Sequence, residues 1–316
     1  MGREKIDQQF LQLHACRLCP RECGADRYTD RLGYCRSGTG FNIGSICLHR
    51  GEEPLISGDK GICNVFFTRC NMQCSFCQNY AISRNSGPIH EEELELEEVI
   101  ARIEELLGVG ARSVGFVSPS HCIPQMLAII EELNERGLTP TTVMNTNAYD
   151  KVDILRMLEG AIDVYLPDLK YMDTQLAATY SDTPDYPQFA TQALAEMFSQ
   201  KGVNIVLDKN GSIVSGLIVR HLVLPGQVRN SIDCLRFIAR ELSNDVHISL
   251  MSQYQPTPAV ARHHSLGRAL HKSEYERVLR EMDRLGFSNG YVQRLGSSAS
   301  WLPDFDSPTP FGSHSD

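Results

Sequence analysis

Three closely spaced cysteines are the residues best suited to chemistry in this sequence. Cys70, Cys74 and Cys77 follow the apolar run 62–67, with three and then two residues between them. Thiolates are the ligands that select zinc, copper(I) and iron-sulfur clusters. Three thiolates leave one iron of a four-iron cluster without a protein ligand, and such an open position is where a small molecule can react. The spacing therefore suits an iron-sulfur cluster with one open iron.

A second group of four cysteines lies in the N-terminal segment 14–35. Pro20, Gly24 and many charged residues surround this group, so little core is available in which the thiols could be buried as apolar side chains. Four thiolates suffice for a tetrahedral zinc site or for an accessory iron-sulfur cluster. We predict a second metal site of one of these kinds, with the ligands Cys16, Cys19, Cys23 and Cys35.

The composition narrows the class of protein. The chain has 316 residues, a net charge of −9 and 11 cysteines, an odd number. It has no apolar run of about 18 residues, and its N-terminus is too polar for a secretory signal. We therefore expect a cytoplasmic protein that does not bind membranes and whose cysteines bind metal rather than form disulfides. The negative charge argues against broad nucleic-acid binding.

From Gly58 onward, the sequence predicts strands that alternate with helices. Such alternation indicates parallel strands joined by crossover helices. Six strands are fewer than the eight of a closed barrel, so a partial barrel and a doubly wound sheet are both candidates. The predicted strands are 62–67, 113–117, 141–145, 162–166, 217–222 and 247–251, with a hairpin at 203–207 and 213–214. The predicted helices are 91–107, 124–135, 150–158, segments within 173–200, 232–242 and 273–285.

Polar residues follow most of the predicted strands. Both candidate folds bind ligands at the carboxyl ends of their strands, where the cysteine loop also lies. We therefore expect one shared pocket at this edge. The polar stretches are 118–121, 145–147, 168–170, 220–221 and 252–254.

In this context the three-cysteine motif resembles that of the radical S-adenosylmethionine (SAM) superfamily. The resemblance covers about residues 14–295, and several stretches are similar to proteins like the pyruvate formate-lyase-activating enzyme. It implies an α/β fold, a partial (β/α)6 barrel over residues 58–296, with an N-terminal cysteine-rich extension at 1–57. The tail at 297–316 is rich in Ser, Pro and Asp, which predicts a flexible segment. The similar stretches are 51–58, 66–71, 76–80, 168–173 and 219–226.

The resemblance also implies the cofactors. Cys70, Cys74 and Cys77 would hold a [4Fe-4S] cluster, and its open iron would be chelated by the amino and carboxylate groups of SAM. One electron, from a donor such as flavodoxin or ferredoxin, would cleave SAM to methionine and a 5′-deoxyadenosyl radical. In this scheme the cofactor supplies the bond-breaking chemistry and the protein orients it.

Roles for individual residues follow from the same resemblance. Phe76 matches an aromatic residue near the adenine, and Asp168 and Lys170 match a motif near the cofactor or the substrate. A Gly-Gly-Glu element normally receives the amino group of methionine, but residues 118–121 read Ser-Pro-Ser-His here. The predicted cofactor-binding residues are Phe76, Ser118, Asn145, Asp168, Lys170 and Arg220, and the predicted catalytic residues are Lys170, Asp168 and His121.

Three functions are consistent with these patterns. The first is a radical SAM oxidoreductase that abstracts a hydrogen atom, for example an activase that forms a glycyl radical on a partner protein. The second is radical modification of a small molecule, a peptide or RNA, of which the acidic chain least favours RNA. The third is a non-catalytic zinc or iron-sulfur protein that binds metal or transfers electrons.

Overall fold

A ten-stranded, mostly parallel sheet organises the chain in this computed structural model, which describes residues 3–30, 32–296, 302–307 and 309–312. The strands are β1 (Phe41–His49), β2 (Ile62–Phe67), β3 (Glu92–Leu94), β4 (Ser113–Val117), β5 (Thr141–Thr146), β6 (Val164–Pro167), β7 (Val206–Leu207), β8 (Ile213–Leu222), β9 (His247–Met251) and β10 (Gly290–Val292). Along the sheet they are ordered β10, β9, β8, β6, β5, β4, β2, β1, β3, and β7 pairs with β8.

The helices mostly join successive parallel strands. They are α1 (Arg3–Leu11), α2 (Pro54–Ser57), α3 (Tyr80–Ser83), α4 (Leu96–Gly108), α5 (Ile123–Glu135), α6 (Val152–Met157), α7 (Thr174–Ser181), α8 (Tyr186–Lys201), α9 (Val228–Phe237) and α10 (Lys272–Arg284). The exceptions are α1, which precedes β1, and α2, which lies between the antiparallel strands β1 and β2. A π-helical turn, Ile238–Leu242, extends α9. Among the helices of the described ranges, none is long and apolar enough to cross a membrane.

The strand order shows which α/β architecture the chain adopts. The strands β2, β4, β5, β6, β8, β9 and β10 pair in parallel, each with the next along the chain. A doubly wound sheet reverses its order part-way, whereas a barrel keeps chain order. The sheet ends at β10 and β3 without closing. The predicted partial (β/α) barrel is therefore confirmed, and β10 adds a seventh parallel strand to the predicted six.

The elements that the sequence did not predict lie at the edge of the sheet. β1 pairs antiparallel with β2, and a register shift between Ile43 and Ser45 interrupts its alternation of buried and exposed residues. β3 pairs with β1 and occupies residues that were predicted as the start of a helix, so α4 begins only at Leu96. Its start is fixed by a capping box between Glu95 and Glu98.

The predicted hairpin is present, but its second strand is longer than expected. Val206 pairs with Ser215, and Gly211 adopts a positive φ of 80° in the turn. β8 is one strand of ten residues, where the sequence predicted two separate segments. It therefore serves both the hairpin and the barrel.

Both terminal segments pack on the barrel. Leu13 and Leu18 belong to the same buried cluster as the barrel core. Near the C-terminus, Phe305 and Phe311 lie 5.5 and 5.6 Å from the ring of Phe66 on β2. The domain boundaries and the flexibility of the tail stay predictions, and residues 297–301, 308 and 313–316 of that tail lie outside the described residues.

Candidate functional site

The three-cysteine loop lies between β2 and α3, at the carboxyl end of the first parallel strand. All six residues of β2 are buried, so the strand anchors the loop. Arg69, just before the first cysteine, adopts a positive φ of 69°, which turns the chain sharply out of the strand. Cys70 is buried, and Cys74 and Cys77 are partly exposed.

Each of the three sulfurs has a hydrogen-bond donor close by. These donors stabilise negative charge on sulfur, and hydrogen bonds to sulfur tune the reduction potential of iron-sulfur clusters. The contacts are Met72 N–H to Cys70 Sγ at 3.4 Å, Asn147 Nδ2 to Cys70 Sγ at 3.5 Å, Ser181 Oγ to Cys74 Sγ at 3.0 Å and Ser83 Oγ to Cys77 Sγ at 3.3 Å.

A cavity of about 190 Å³ lies at the carboxyl edge of the strands, next to this loop. Cys74 and Cys77 form part of its wall, together with Phe311, which lies near the C-terminus. Strands β2 to β8 bring residues far apart in sequence to this wall, because the ends of parallel strands share one edge. All six of the residues predicted to bind a cofactor line the cavity, namely Phe76, Ser118, Asn145, Asp168, Lys170 and Arg220.

A chain of ion pairs crosses the floor of the cavity. Asp168 directly follows β6, and Arg220 lies near the end of the neighbouring strand β8. A backbone bridge also joins the two residues. Asp168 accepts from Lys170 Nζ at 2.6 Å and from Arg220 Nε at 2.9 Å. Arg220 Nη1 then donates to Glu52 at 3.1 Å. All four side chains are less than one-fifth exposed.

These groups are charged at neutral pH. Burial alone would raise the pKa of Asp168, but the positive charges of Lys170 and Arg220 outweigh burial and lower that pKa to about 2. Burial likewise opposes ionisation of Glu52, and hydrogen bonds and charges from His49 and Arg220 lower its pKa to about 2. The cavity therefore presents fixed charges of both signs.

Glu52 and Glu53 are site residues that the sequence analysis missed. They lie between β1 and β2, and both line the cavity. Burial raises the pKa of Glu53, and its Oε2 atom has no hydrogen-bond partner among the described residues. The Glu-Glu-Pro sequence at the start of α2 belongs to one of the stretches that carry the resemblance. Its residue pattern assigned no role to either glutamate.

Two buried histidines lie beside the cavity wall. His221 Nδ1 donates to the Leu169 carbonyl at 2.6 Å, and His121 Nε2 donates to the Thr68 carbonyl at 2.8 Å. Burial lowers the pKa of each to about 4, so both are neutral at pH 7. His121, predicted to be catalytic, is not among the residues that line the large cavity.

The second cysteine group lines a different, smaller cavity. Cys16, Cys19 and Cys35 are buried, and Cys23 is exposed. Arg27 and His121 complete part of this wall. Within the described ranges, no three His, Cys, Asp or Glu side chains are gathered closely enough to hold a single metal ion. The structure thus brings the four predicted ligands to one cavity without converging them on one point.

Part of the chain matches a known protein family. Residues 64–231, just over half of the chain, match the sequence model described as the Radical SAM superfamily. The chain belongs to the radical SAM superfamily. This assignment makes a [4Fe-4S] cluster and SAM the cofactors of the chain, as predicted, and confirms an enzyme of the radical SAM class.

The relatives of this radical SAM chain carry little further information. "Uncharacterized protein MJ0674" from Methanocaldococcus jannaschii is 29% identical over 273 residues, which cover 84% of this chain and 73% of the relative. SuiB from Streptococcus suis, solved with bound S-adenosylmethionine, has a TM-score of 0.47 at 12% identity, covering 72% of this chain and 48% of SuiB. A domain of the pyruvate-formate lyase-activating enzyme from Bacteroides vulgatus has a TM-score of 0.38 at 13% identity, covering 54% and 93% respectively. The chain therefore spans about half the length of SuiB.

The residues of the large cavity suit the charges of these two radical SAM cofactors. The sulfurs of Cys74 and Cys77 face the cavity and accept hydrogen bonds, as cluster thiolates do. The unpartnered oxygen of Glu53 suits an ammonium group, and the ammonium of Lys170 suits a carboxylate. SAM carries both an ammonium and a carboxylate.

Proposed function

We propose that the chain uses Cys70, Cys74 and Cys77 to hold a [4Fe-4S] cluster and cleaves SAM reductively in the adjoining cavity. When bound, the cluster and SAM together supply a 5′-deoxyadenosyl radical that removes a hydrogen atom from a substrate. The proposal rests on one observation: two of the cluster cysteines, Cys74 and Cys77, and all six predicted cofactor residues line the same cavity.

Lys170 is proposed to bind the carboxylate of SAM. Its ammonium has three N–H donors, and one contact to Asp168 at 2.6 Å accounts for one of them. Because Asp168 is also held by Arg220 at 2.9 Å, the position of Lys170 is fixed on a rigid floor. Asp168 and Arg220 therefore orient Lys170, whose charge also lies near the thiolate of Cys74.

Glu53 is proposed to take the place of the missing Gly-Gly-Glu element. Its buried Oε2 has no partner among the described residues, and a buried acceptor without a donor is costly unless a ligand supplies one. Ser118 adds its backbone to this wall in a left-handed conformation, with φ of 52°. Such a conformation costs a non-glycine residue about 1 to 2 kcal/mol and is often retained at a ligand site.

Phe76 and His121 are proposed to act through packing and position. The Phe76 ring lies 6.5 and 6.2 Å from the rings of Tyr171 and Tyr254, so its backbone rather than its face is available to the adenine. His121 holds the Thr68 carbonyl two residues before Cys70. Through this contact it would support the cluster loop.

The substrate is proposed to be a glycine in a loop of a partner protein. The cavity, about 190 Å³, is below the roughly 300 to 1,000 Å³ of typical small-molecule sites, so SAM leaves little room in it. A glycine has no side chain and can enter as bare backbone. A low-potential donor of the flavodoxin or ferredoxin class would supply the electron.

Anaerobic reconstitution with iron and sulfide tests this function. With dithionite and SAM, we expect the protein to release 5′-deoxyadenosine, and the Cys74→Ala variant to release none. A protein that shows cluster absorbance yet forms no 5′-deoxyadenosine would refute the proposed reaction.

Deuterium transfer tests the substrate class. An extract is prepared from cells grown on deuterated glycine and is incubated with the reconstituted protein and SAM. We expect deuterium to pass from a protein in the extract to 5′-deoxyadenosine. The transfer should disappear when macromolecules are removed from the extract by filtration. Transfer that persists in the small-molecule filtrate would replace the activase proposal with modification of a small molecule. The RNA alternative would require transfer that ribonuclease abolishes.

A further inference from the structure

The N-terminal cysteines form a second group of thiols outside the large cavity. All four line one small cavity, although the chain between the third and the fourth is eleven residues long. Three of these thiols, Cys16, Cys19 and Cys35, are buried, and Cys23 is exposed. Four cysteines on the wall of one cavity are a set of soft ligands that suits a metal centre.

Arg27 is a buried cation on the wall of this cavity. It is 3% exposed, and its guanidinium donates to the carbonyls of Ser37, Gly38 and His121 at 2.9, 2.7 and 2.6 Å. Its Nη1 atom also points to Cys16 Sγ at 3.9 Å. None of its hydrogen bonds to the described residues goes to a carboxylate. A buried charge is costly without an ionic partner. A cluster together with its four thiolate ligands carries net negative charge and would supply that partner.

The spread of the thiols suits a cluster better than a single ion. A tetrahedral zinc ion draws each sulfur to about 2.3 Å from one point. No group of three thiols among the described residues is gathered in that way, although all four line the cavity. A four-iron cluster instead binds each thiolate at a different iron, so its ligands stand further apart.

We propose that Cys16, Cys19, Cys23 and Cys35 hold a second [4Fe-4S] cluster, closed by four protein ligands and partnered by the guanidinium of Arg27. Each thiol gives up its proton when it binds iron. The site adjoins the first cysteine group, because Asn71 lines this cavity and its Oδ1 lies 3.6 Å from Cys70 Sγ. Asn71 therefore lies between the two cysteine groups.

Iron counting on the full-length protein tests this proposal. After anaerobic reconstitution, we expect roughly eight iron atoms and eight sulfides per chain. The variant with Cys70, Cys74 and Cys77 changed to Ala should retain roughly four, as should the variant with all four N-terminal cysteines changed. Because iron is counted in a protein that has lost the first cysteines, the result does not depend on SAM cleavage.

Two single variants guard against misfolding and misassignment. Cys23 is exposed, so Cys23→Ala should leave the circular dichroism spectrum unchanged while it removes or degrades the second cluster only. Cys122 is buried and near Arg27 but does not line the cavity, so Cys122→Ala should keep roughly eight iron atoms.

Three results would overturn the proposal. The first is a wild type with four iron atoms, all of which are lost when Cys70, Cys74 and Cys77 are changed to Ala. The second is one zinc per chain that depends on the four N-terminal cysteines. The third is a loss of iron from Cys122→Ala as large as that from Cys23→Ala.

Discussion

The two cysteine groups differ in what surrounds them. Two of the first three cysteines, Cys74 and Cys77, border a cavity of about 190 Å³ whose wall carries Lys170, Arg220 and several carboxylates. Four cysteines border a small cavity whose buried cation, Arg27, donates to carbonyls and to a thiol among the described residues. A site with one ligand missing needs polar groups that receive an exchanging molecule. A site with its full set of ligands needs only charge balance.

The same contrast appears in how the cations are paired. Lys170 and Arg220 are bound to carboxylates whose pKa values are lowered to about 2, so that part of the wall keeps its charges with or without a ligand. Arg27 lacks such a partner among the described residues that contact it. We infer that the first cavity is prepared for exchange and the second for a permanent occupant.

Cysteine substitutions should separate the two groups most strongly. With dithionite as the electron source, Cys74→Ala should lower the rate of 5′-deoxyadenosine formation by at least about 1,000-fold, since the reaction centre is lost. Cys23→Ala should keep that rate within about threefold, because dithionite reduces the first cluster directly. Chromatographic detection of 5′-deoxyadenosine measures both. Equal losses in the two variants would show that the groups act as one centre.

Substitution of the two cavity cations gives the next largest contrast. Lys170→Met should weaken SAM binding to the oxidised protein by roughly 10- to 100-fold, because a hydrogen bond to a charged group contributes about 1.5 to 3 kcal/mol. Arg27→Met should leave the affinity for SAM unchanged and lower the iron content instead. Calorimetric titration with SAM and iron analysis of both variants check this. A drop in SAM affinity in Arg27→Met would contradict separate roles for the two cavities.

The sequence revealed each group only as far as its ligands are near one another in the chain. Cys70, Cys74 and Cys77 fall within eight residues, so their common role was visible from spacing. Asp168 and Arg220 could be placed in the site because they lie at the carboxyl ends of predicted strands. In a parallel sheet these ends lie at one edge.

Other features depend on three-dimensional contacts that no local pattern records. Glu53 reaches the cavity because β1 pairs antiparallel with β2, and β1 was missed since its bulge interrupts the alternation of buried residues. Arg27 lies in a loop rich in charged residues, where an arginine is normally solvated. Its burial against Cys16 and the His121 carbonyl becomes visible only when the N-terminal segment is folded onto the barrel.

Acid stability should depend on the buried histidine beside the large cavity. Burial lowers the folded-state pKa of His221 to about 4; the Leu169 carbonyl and Asp168 oppose this effect, and Lys170 adds to it. The unfolded chain binds a proton near pH 6.5, so the contribution is complete above that pH and is lost as pH falls towards 4. From pH 6.5 to 5 the loss is about 2 kcal/mol.

Urea unfolding of the wild type and of His221→Asn at pH 7, 6 and 5 checks this expectation. The variant cannot take up the proton, so its free energy of unfolding should fall less steeply with decreasing pH. The ion pairs of Asp168 contribute little in this range because its pKa is about 2. Identical slopes for the two proteins would exclude His221 as the source of the acid sensitivity.

The smallest expected effect comes from the donor to a single sulfur. Ser181 Oγ donates to Cys74 Sγ at 3.0 Å, and Ser181→Ala removes this contact. This hydrogen bond stabilises the reduced cluster more than the oxidised cluster, because the reduced cluster is more negative. Its loss, about 1 kcal/mol, should lower the midpoint potential of the first cluster by up to about 40 mV. A redox titration followed by electron paramagnetic resonance resolves this shift. The potential of the second cluster should stay unchanged, because the Ser181 hydroxyl contacts Tyr171 and Cys74 and none of the N-terminal cysteines that the structure describes. A parallel shift of both potentials would mean that the two centres are electrostatically coupled.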